Sequence, residues 1–327
     1  MAIIEVETLY KEFTVVKKKE GLAGAFMNLF RPEKRKVTAV KGIDFSIERG
    51  EIVGFIGPNG AGKSTTIKLL SGILHPTSGT VRIEGISPHK DRISVVKKLG
   101  VVFGQRSQLH WDRKLGDSFH LLKMIYQIDD ATYNNNLRVL NEVIKINEII
   151  DIPVRMLSLG QRMRGDLAAA LLHSPSILFL DEPTIGLDAE AKHSIRKFIT
   201  EINRRKGVTV ILTTHDLDDV EELCSRLIVL NNGKIVEDAP IESLIEKLAP
   251  YRVLVIETET AEECILHPMA EVIGVSGHKV WFRFDKKRIT AAQLIADLIK
   301  LYSIKDLSVQ EPNIEDVIRD VYKSTSL

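Results

Sequence analysis

The sequence of 327 residues predicts an α/β main domain followed by a smaller α+β domain. Short apolar runs alternate with segments of helical spacing, and these runs are EIVGFIG, VRIEGI, LGVVFG, SILFLDEP, VTVILTTH and SRLIVLNNGKIVED. Several of them are continuous stretches of valine, isoleucine and leucine, which are typical of strands buried between helices. We therefore expect a sheet covered by helices.

The predicted organisation has three departures from this alternation. Residues 108–155 contain LLKMIYQI and NLRVLNEVIKINEII, which predict a helical insertion at about 106–160. Residues 16–37 interrupt an N-terminal hairpin with basic flanks around an apolar centre. This segment is either a solvated charged loop or a contact with a membrane partner or lipid headgroups. The main domain is expected at 1–248 and the α+β domain at 249–327.

The composition excludes some classes of protein. Forty-five basic and 44 acidic residues leave a formal charge of +1, so we expect no nucleic-acid partner. The N-terminus lacks the pattern of a secretory signal, and no run of about 18 apolar residues occurs. Cys224 and Cys264 have neither metal-ligand nor disulfide-framework spacing. These features predict a cytoplasmic protein that does not cross a membrane by itself.

The strongest local motif is GPNGAGKST, which lies between the strand EIVGFI and the helix STTIKLLSGIL. Glycines allow the backbone amides to turn toward phosphate oxygens, and the helix start adds its dipole. Lys63 supplies a positive charge for the outer phosphates, and Ser64 can hold Mg²⁺. The predicted phosphate-binding residues are Gly57, Pro58, Asn59, Gly60, Ala61, Gly62, Lys63, Ser64 and Thr65.

A second motif, SILFLDEP, ends a buried apolar strand with two carboxylates. Adjacent strand residues point to opposite faces, so Asp181 and Glu182 can have different roles. Asp181 is predicted to bind Mg²⁺. Glu182 is predicted to orient or deprotonate an attacking water molecule.

A third motif, LSLGQ, predicts a helix start with a capping box made by Ser158 and Gln161. Arg162 and Arg164 then lie in the first turn, where each positive charge costs about 0.3–1 kcal/mol unless an anion is near. The pattern therefore indicates a nearby anion. Pairing of the arginines with Asp166 or with neighbours of Glu182 is the alternative.

Taken together, GPNGAGKST, LSLGQ, ILFLDEP, GLD and TTHD resemble, in order and spacing, the nucleotide-binding subunit of an ABC transporter over residues 3–247. The resemblance implies a P-loop ATPase domain with a mixed sheet core, an N-terminal antiparallel β-subdomain and a helical subdomain. It also implies ATP as substrate and Mg²⁺ as cofactor. Hydrolysis would yield ADP and phosphate.

The resemblance implies further roles for single residues. Gln105 would link Mg²⁺ and water to the helical insertion, and His215 would contact the γ-phosphate. Phe13 would stack on adenine with Val40 nearby, and Tyr10 is the alternative to Phe13.

Closure over ATP would involve a second ABC subunit, most simply in a homodimer. The residues that would reach the partner's nucleotide are Ser158, Leu159, Gly160, Gln161 and Asp188. The family pattern is LSGGQ, and Leu159 stands where that pattern has its first glycine. We expect phosphate contact to be retained, with a weakened half-site as the alternative.

The function implied is that of an ATPase on the inner face of the cell membrane, bound to polytopic permease subunits. The ending EPNIEDVIRDVY resembles that of ATPases serving exporters, so export is the favoured direction. The alternatives are the engine of an importer and a soluble ATP-dependent switch.

Overall fold

The computed structural model describes residues 2–16, 34–104, 106–259, 266–312 and 314–324. The chain divides into two compact units, Met1–Asp238 and Ala239–Leu327. The sequence places the boundary later, at 248/249. The difference arises because a helix at Ile241–Leu248 packs against the last helix of the chain, Ile314–Ser324.

The centre of the first unit is a six-stranded sheet, which confirms the predicted α/β core. Its strands are β3 (Ile52–Ile56), β5 (Leu99–Phe103), β6 (Ile177–Asp181), β7 (Thr209–Thr213), β8 (Arg226–Asn231) and β9 (Lys234–Pro240). They are ordered β5-β6-β7-β3-β8-β9, and the first five of them are parallel. The carboxyl ends of β6, β7 and β3 therefore meet at one edge of the sheet.

A second sheet confirms the predicted antiparallel β-subdomain. It contains β1 (Ala2–Val16), β2 (Lys34–Glu48) and β4 (Ser78–Ile83), in the order β2-β1-β4. The ladder between β1 and β2 continues to Val16 and Lys34. Both ends of the predicted insertion at 16–37 are thus strand, and its residues 17–33 lie outside the described part of the chain.

Seven helices of the first unit pack around these sheets in the described ranges. They are α1 (Lys63–Leu70), α2 (Arg92–Val96), α3 (Leu115–Tyr126), α4 (Asp130–Ile144), α5 (Leu159–Leu171), α6 (Ala189–Lys206) and α7 (Leu217–Leu223). Helices α3, α4 and α5, with short 3₁₀ turns between α4 and α5, confirm the predicted helical subdomain. Within it Phe119 is fully buried, whereas 55% of Trp111 is exposed.

The second unit is an α+β structure. Strands β10 (Tyr251–Thr258), β11 (Ala270–Ser276), β12 (Lys279–Asp285) and β13 (Ile304–Gln310) form one antiparallel sheet in the order β11-β12-β10-β13. The helices of this unit are α8 (Ile241–Leu248), α9 (Ala291–Leu301) and α10 (Ile314–Ser324). Leu294 and Leu298 of α9 pack on Phe282 and Phe284 of β12 to form its core.

Among the residues that the structure describes, no helix combines the length and the apolar character that crossing a bilayer requires.

Candidate functional site

The loop after β3 is held close to two neighbouring strands. Gly62 has a φ of +108°, and a Cβ atom at this position would lie 2.6 Å from the carbonyl oxygen of Ala39. A Cβ atom at Gly57 would lie 2.3 Å from the carbonyl oxygen of Leu230. Only glycine fits such approaches. The loop can therefore pass between β2 and β8 and reach the start of α1.

Lys63 begins α1 and folds back over this loop. Its Nζ atom donates to the carbonyl oxygens of Gly57 at 2.6 Å and Pro58 at 3.3 Å. Burial lowers the pKa of Lys63, while the negative charges of Glu182 and Asp181 act in the opposite direction. The ammonium group is thus held by two carbonyl oxygens of the loop. A phosphate bound by this loop would lie close to its positive charge.

Asp181 ends β6 and gathers oxygen atoms from two other elements. Its Oδ1 atom accepts hydrogen bonds from Ser64 Oγ of α1, at 3.3 Å, and from Thr213 Oγ1 of β7. A carboxylate with two hydroxyl groups matches the all-oxygen ligands that Mg²⁺ prefers. Ser64 and Asp181 could therefore hold this cation, as the sequence predicts.

Thr213 is a site residue that the sequence analysis does not single out. It is fully buried and lies opposite Asp181 in the parallel ladder of β6 and β7. The feature of the sequence that could have identified Thr213 is its position at the end of a buried strand, directly before the motif residues THD. Its hydroxyl orients the carboxylate of Asp181.

Glu182 and His215 follow β6 and β7 and face each other. Oε1 of Glu182 lies 3.4 Å from Nδ1 of His215. Glu182 has a φ of +56°, which is unusual for a residue other than glycine, and its N–H donates to the carbonyl oxygen of Thr213 at 2.9 Å. The turn after β6 thus places this carboxylate beside His215.

The two carboxylates, Asp181 and Glu182, border a cavity of about 420 Å³. It is lined by Ser64, Lys68, Ile73, Phe103, Gly104, Arg106, Asp181 and Glu182. Arg106, which the sequence analysis does not select, adds a positive side chain beside the two carboxylates. The neighbouring Gln105 lies outside the described residues.

The predicted base-binding residues differ in exposure. Phe13 is half-buried, with Lys11 Nζ 5.1 Å from its ring centroid, and its ring remains available at the surface. The hydroxyl of Tyr10 hydrogen-bonds with Thr38 Oγ1 at 3.2 Å. Phe13 pairs with Val37 across β1 and β2.

The prediction for Val40 needs correction. Its side chain is fully buried in the core and offers no surface to a base. The neighbouring Ala39 approaches the phosphate loop through its backbone, since its carbonyl oxygen lies 2.6 Å from where a Cβ atom at Gly62 would be.

The LSLGQ motif forms the capping box that its sequence predicts. The N–H of Gln161 donates to Ser158 Oγ at 3.2 Å, and the N–H of Ser158 donates to Gln161 Oε1 at 2.9 Å. Leu159 is partly exposed, and its Cδ2 atom lies 3.3 Å from where a Cβ atom at Gly186 would be. Asp188 caps α6 by accepting from the N–H of Ala191 at 2.8 Å.

The motif and the Asp188 loop share a second cavity, of about 400 Å³. Its lining includes Ser158, Leu159, Gly160, Gln161 and Asp188. Among the described residues, which leave out Gln105, none lines both this cavity and the cavity beside Ser64 and Asp181. Within one chain, the two sets of predicted ATP-contacting residues therefore form separate half-sites.

The two arginines of α5 have partners within the chain. The Arg162 guanidinium lies 5.8 Å from the ring centroid of Trp111. Arg164 donates to the carbonyl oxygen of Ile144 at 3.1 Å and lies 3.8 Å from Glu148. These contacts offset part of the cost of placing positive charge at a helix start.

Asp166 connects α5 to the segment that follows Gln105. It accepts hydrogen bonds from Ser107 Oγ at 2.9 Å and from the N–H of Gln108 at 3.1 Å. Burial raises the pKa of Asp166 to about 6, and these hydrogen bonds and the charge of Arg162 oppose the rise. Among the described contacts, Asp166 is held by Ser107 and Gln108, and its pairing with an arginine stays a prediction.

The curated proteins that this chain resembles include three ATP-binding proteins of bacterial transporters. The linearmycin resistance ATP-binding protein LnrL of Bacillus subtilis is 30% identical over 86% of this chain and 92% of that protein. The Nod factor export ATP-binding protein I of Ralstonia nicotianae is 34% identical over 75% of this chain and 76% of that protein. The methionine import ATP-binding protein MetN of Carboxydothermus hydrogenoformans is 32% identical over 72% of each.

A solved structure and a family match agree with these relatives. The dimeric bacterial ABC transporter cassette MJ0796 is 25% identical, with a TM-score of 0.59 over 72% of this chain and 98% of that chain. Residues 40–185 match the ABC transporter family. With the phosphate loop, the paired carboxylates and the LSLGQ half-site described above, these findings establish that the chain belongs to the ABC transporter family as an ATP-binding subunit.

Proposed function

We propose that this chain hydrolyses MgATP and uses the energy to drive export of a solute through membrane-spanning partner subunits. One observation carries the hydrolytic part: Glu182 and His215 face each other at 3.4 Å beside the oxygen cluster of Ser64 and Asp181. This group combines a proton acceptor and a cation site next to a phosphate-binding loop.

In this mechanism each residue has a distinct role. The amides of residues 57–65 and Lys63 bind the phosphates. Ser64 and Asp181, with Gln105 as the resemblance implies, would hold Mg²⁺, which would neutralise phosphate charge when bound. Glu182 orients a water molecule and accepts its proton, and His215 contacts the γ-phosphate.

A second copy of the chain completes the site in our proposal. In the part of the chain that the structure describes, the cavity of Ser158 and Asp188 and the cavity of Ser64 and Asp181 share no lining residue. A head-to-tail pair would bring each LSLGQ half-site over the phosphates held by the other chain, and the similarity to the dimeric cassette MJ0796 supports this arrangement. ATP would then hold the two chains together until hydrolysis releases them.

The membrane partner is supported by an exposed apolar patch. Ile93 of α2 and Met124 and Ile125 of α3 are 74%, 68% and 62% exposed. Ile93 and Ile125 line a cavity of about 320 Å³ that Arg92 and Lys97 border. Exposed apolar side chains beside charged ones are typical of protein contacts. We propose that a permease subunit docks there and holds the chain on the inner face of the cell membrane.

Export is the proposed direction because two of the relatives are named for resistance to, or export of, a compound. The C-terminal EPNIEDVIRDVY, which resembles the ending of exporter ATPases, agrees with it. Import is the second candidate, since a methionine import protein is similarly identical.

Affinity capture tests the membrane partner. A tagged Glu182→Gln chain is purified with MgATP from detergent-solubilised native cells, and proteins that accompany it are identified by mass spectrometry. The proposal expects one or two polytopic membrane proteins. If a charge introduced at Ile93 or Ile125 abolishes the recovery of these membrane proteins, while a variant altered at the exposed Glu246 still recovers them, the contact lies at the apolar patch. Recovery of soluble partners alone would favour a soluble switch.

Direction is tested in cells that carry only the Glu182→Gln chain. Solutes inside and outside these cells are compared with those of wild-type cells by mass spectrometry. Export predicts a solute that accumulates inside and falls outside. The opposite change would establish import and contradict the proposed direction.

A further inference from the structure

Asp219 of α7 makes hydrogen bonds to three elements from a fully buried position. Its Oδ2 atom accepts from the hydroxyl groups of Thr184 and Thr214, the latter at 3.0 Å. Its Oδ1 atom accepts from Arg196 Nε at 2.8 Å. The carboxylate is therefore held from both sides, and Arg196 offsets the cost of burying its charge.

Both threonines belong to the loops that carry the facing pair of the site. Thr184 lies two residues after Glu182, in the turn that follows β6. Thr214 directly precedes His215, and its hydroxyl also accepts from the N–H of Asp216 at 2.9 Å. One carboxylate oxygen thus connects the Glu182 turn to the His215 loop.

The third contact extends this connection to the loop of Asp188. Arg196 lies on α6, the helix that Asp188 caps, and it also pairs with Glu222 and lies 3.8 Å from Asp218. Lys192 of the same helix pairs with Asp216. The loop of Asp188 and the loops of Glu182 and His215 are consequently joined through charged groups on α6 and α7.

We infer that Asp219 is a positioning residue, which keeps Glu182 and His215 at their working separation by holding both of their loops. This inference rests on the proposed hydrolysis. Neither loop can shift far without breaking a hydrogen bond to a buried carboxylate, and an unpaired buried polar group is costly. Small displacements of reacting groups lower turnover strongly without an equal loss of binding.

The test uses substitutions that change one hydroxyl group each. Thr184→Val and Thr214→Val preserve side-chain volume but remove the donor to Asp219, and the matching serine variants retain it. Thr209→Val is the control, because Thr209 is also buried but lies at the start of β7 and accepts from the N–H of Gly50 instead. Steady-state kcat and KM for MgATP are measured on the full chain, with urea unfolding to verify folding.

We expect each valine variant to lower kcat about tenfold while KM changes less than about twofold. Serine variants and Thr209→Val should stay near the wild type. If the two threonines act through the same carboxylate, their valine substitutions should lower kcat little further in a chain that already carries Asp219→Asn. If Asp219→Asn fails to fold, the valine variants alone test the inference.

The outcomes separate the two claims. Valine variants with the turnover of Thr209→Val would overturn the inference alone. So would equal losses in the serine and valine variants, since these would reflect packing. A wild-type chain without turnover would overturn the proposed hydrolysis, and the inference with it.

Discussion

Nδ1 of His215 lies 3.4 Å from Oε1 of Glu182, although 33 positions separate the two residues along the sequence. They meet because β6 and β7 are adjacent parallel strands whose carboxyl ends lie at the same edge. Glu182 has a left-handed backbone directly after β6, and both carboxylates line the same cavity. The proposed proton acceptor and the proposed cation ligand therefore lie side by side at this edge of the sheet.

Thr213→Val should weaken the cation site. The substitution preserves volume but removes the hydroxyl that donates to Asp181, so this carboxylate is less well oriented. We expect the Mg²⁺ concentration for half-maximal turnover to rise several-fold, since substitution of groups that orient a metal ligand typically costs about 10- to 100-fold in affinity or activity. Titration of turnover with Mg²⁺ at fixed ATP checks this. An unchanged midpoint would show that Thr213 only packs the strand.

Gly62→Ala should abolish ATP binding. Its Cβ atom would lie 2.6 Å from the carbonyl oxygen of Ala39, so the loop or β2 would have to move. Gly50→Ala is the control, because Gly50 also has a positive φ but a Cβ atom there meets open space. Both variants incur the left-handed backbone cost of about 1–2 kcal/mol, but only Gly62→Ala should lose nucleotide binding. Calorimetric titration with MgATP distinguishes them, and equal binding by both would contradict the steric argument.

Asp166 should make stability depend on pH. Burial raises its pKa from 3.8 to about 6, so between these values the folded chain binds more protons than the unfolded chain. The contribution of Asp166 is present below pH 4 and is lost as pH rises through 6. Asp166→Asn removes the charge but can still accept from Ser107.

We therefore expect Asp166→Asn to gain stability relative to the wild type between pH 4 and pH 7, by roughly 1–3 kcal/mol. Urea unfolding at several pH values measures the difference. A difference that does not change with pH would mean that Asp166 has an ordinary pKa.

The parts of the site that follow from local sequence were predictable. The phosphate loop needs only a strand, glycines, a lysine and a helix in order, and the capping box of Ser158 and Gln161 spans four positions. The strands were predictable for the same reason, since their apolar runs are continuous.

Features that depend on strand faces or distant contacts were not predictable. Val40 is buried because its side chain lies on the face of β2 that packs into the core. The residues next to it in the sequence do not reveal which face of the strand this is. The bond between Thr213 and Asp181 needs the register of β6 against β7. The contacts of Asp219 join residues from four segments of the chain, and α8 belongs to the second unit through its packing against α10.

The central claim is that Glu182 drives hydrolysis in a site that two chains complete. The most direct measurement combines ATP turnover with the mass of the Glu182→Gln chain by light scattering, with and without MgATP, with Glu246→Gln as control. We predict no turnover and a mass that doubles only with MgATP, because ATP binds but is not cleaved. A monomer at saturating MgATP, or turnover at the wild-type rate, would contradict the account.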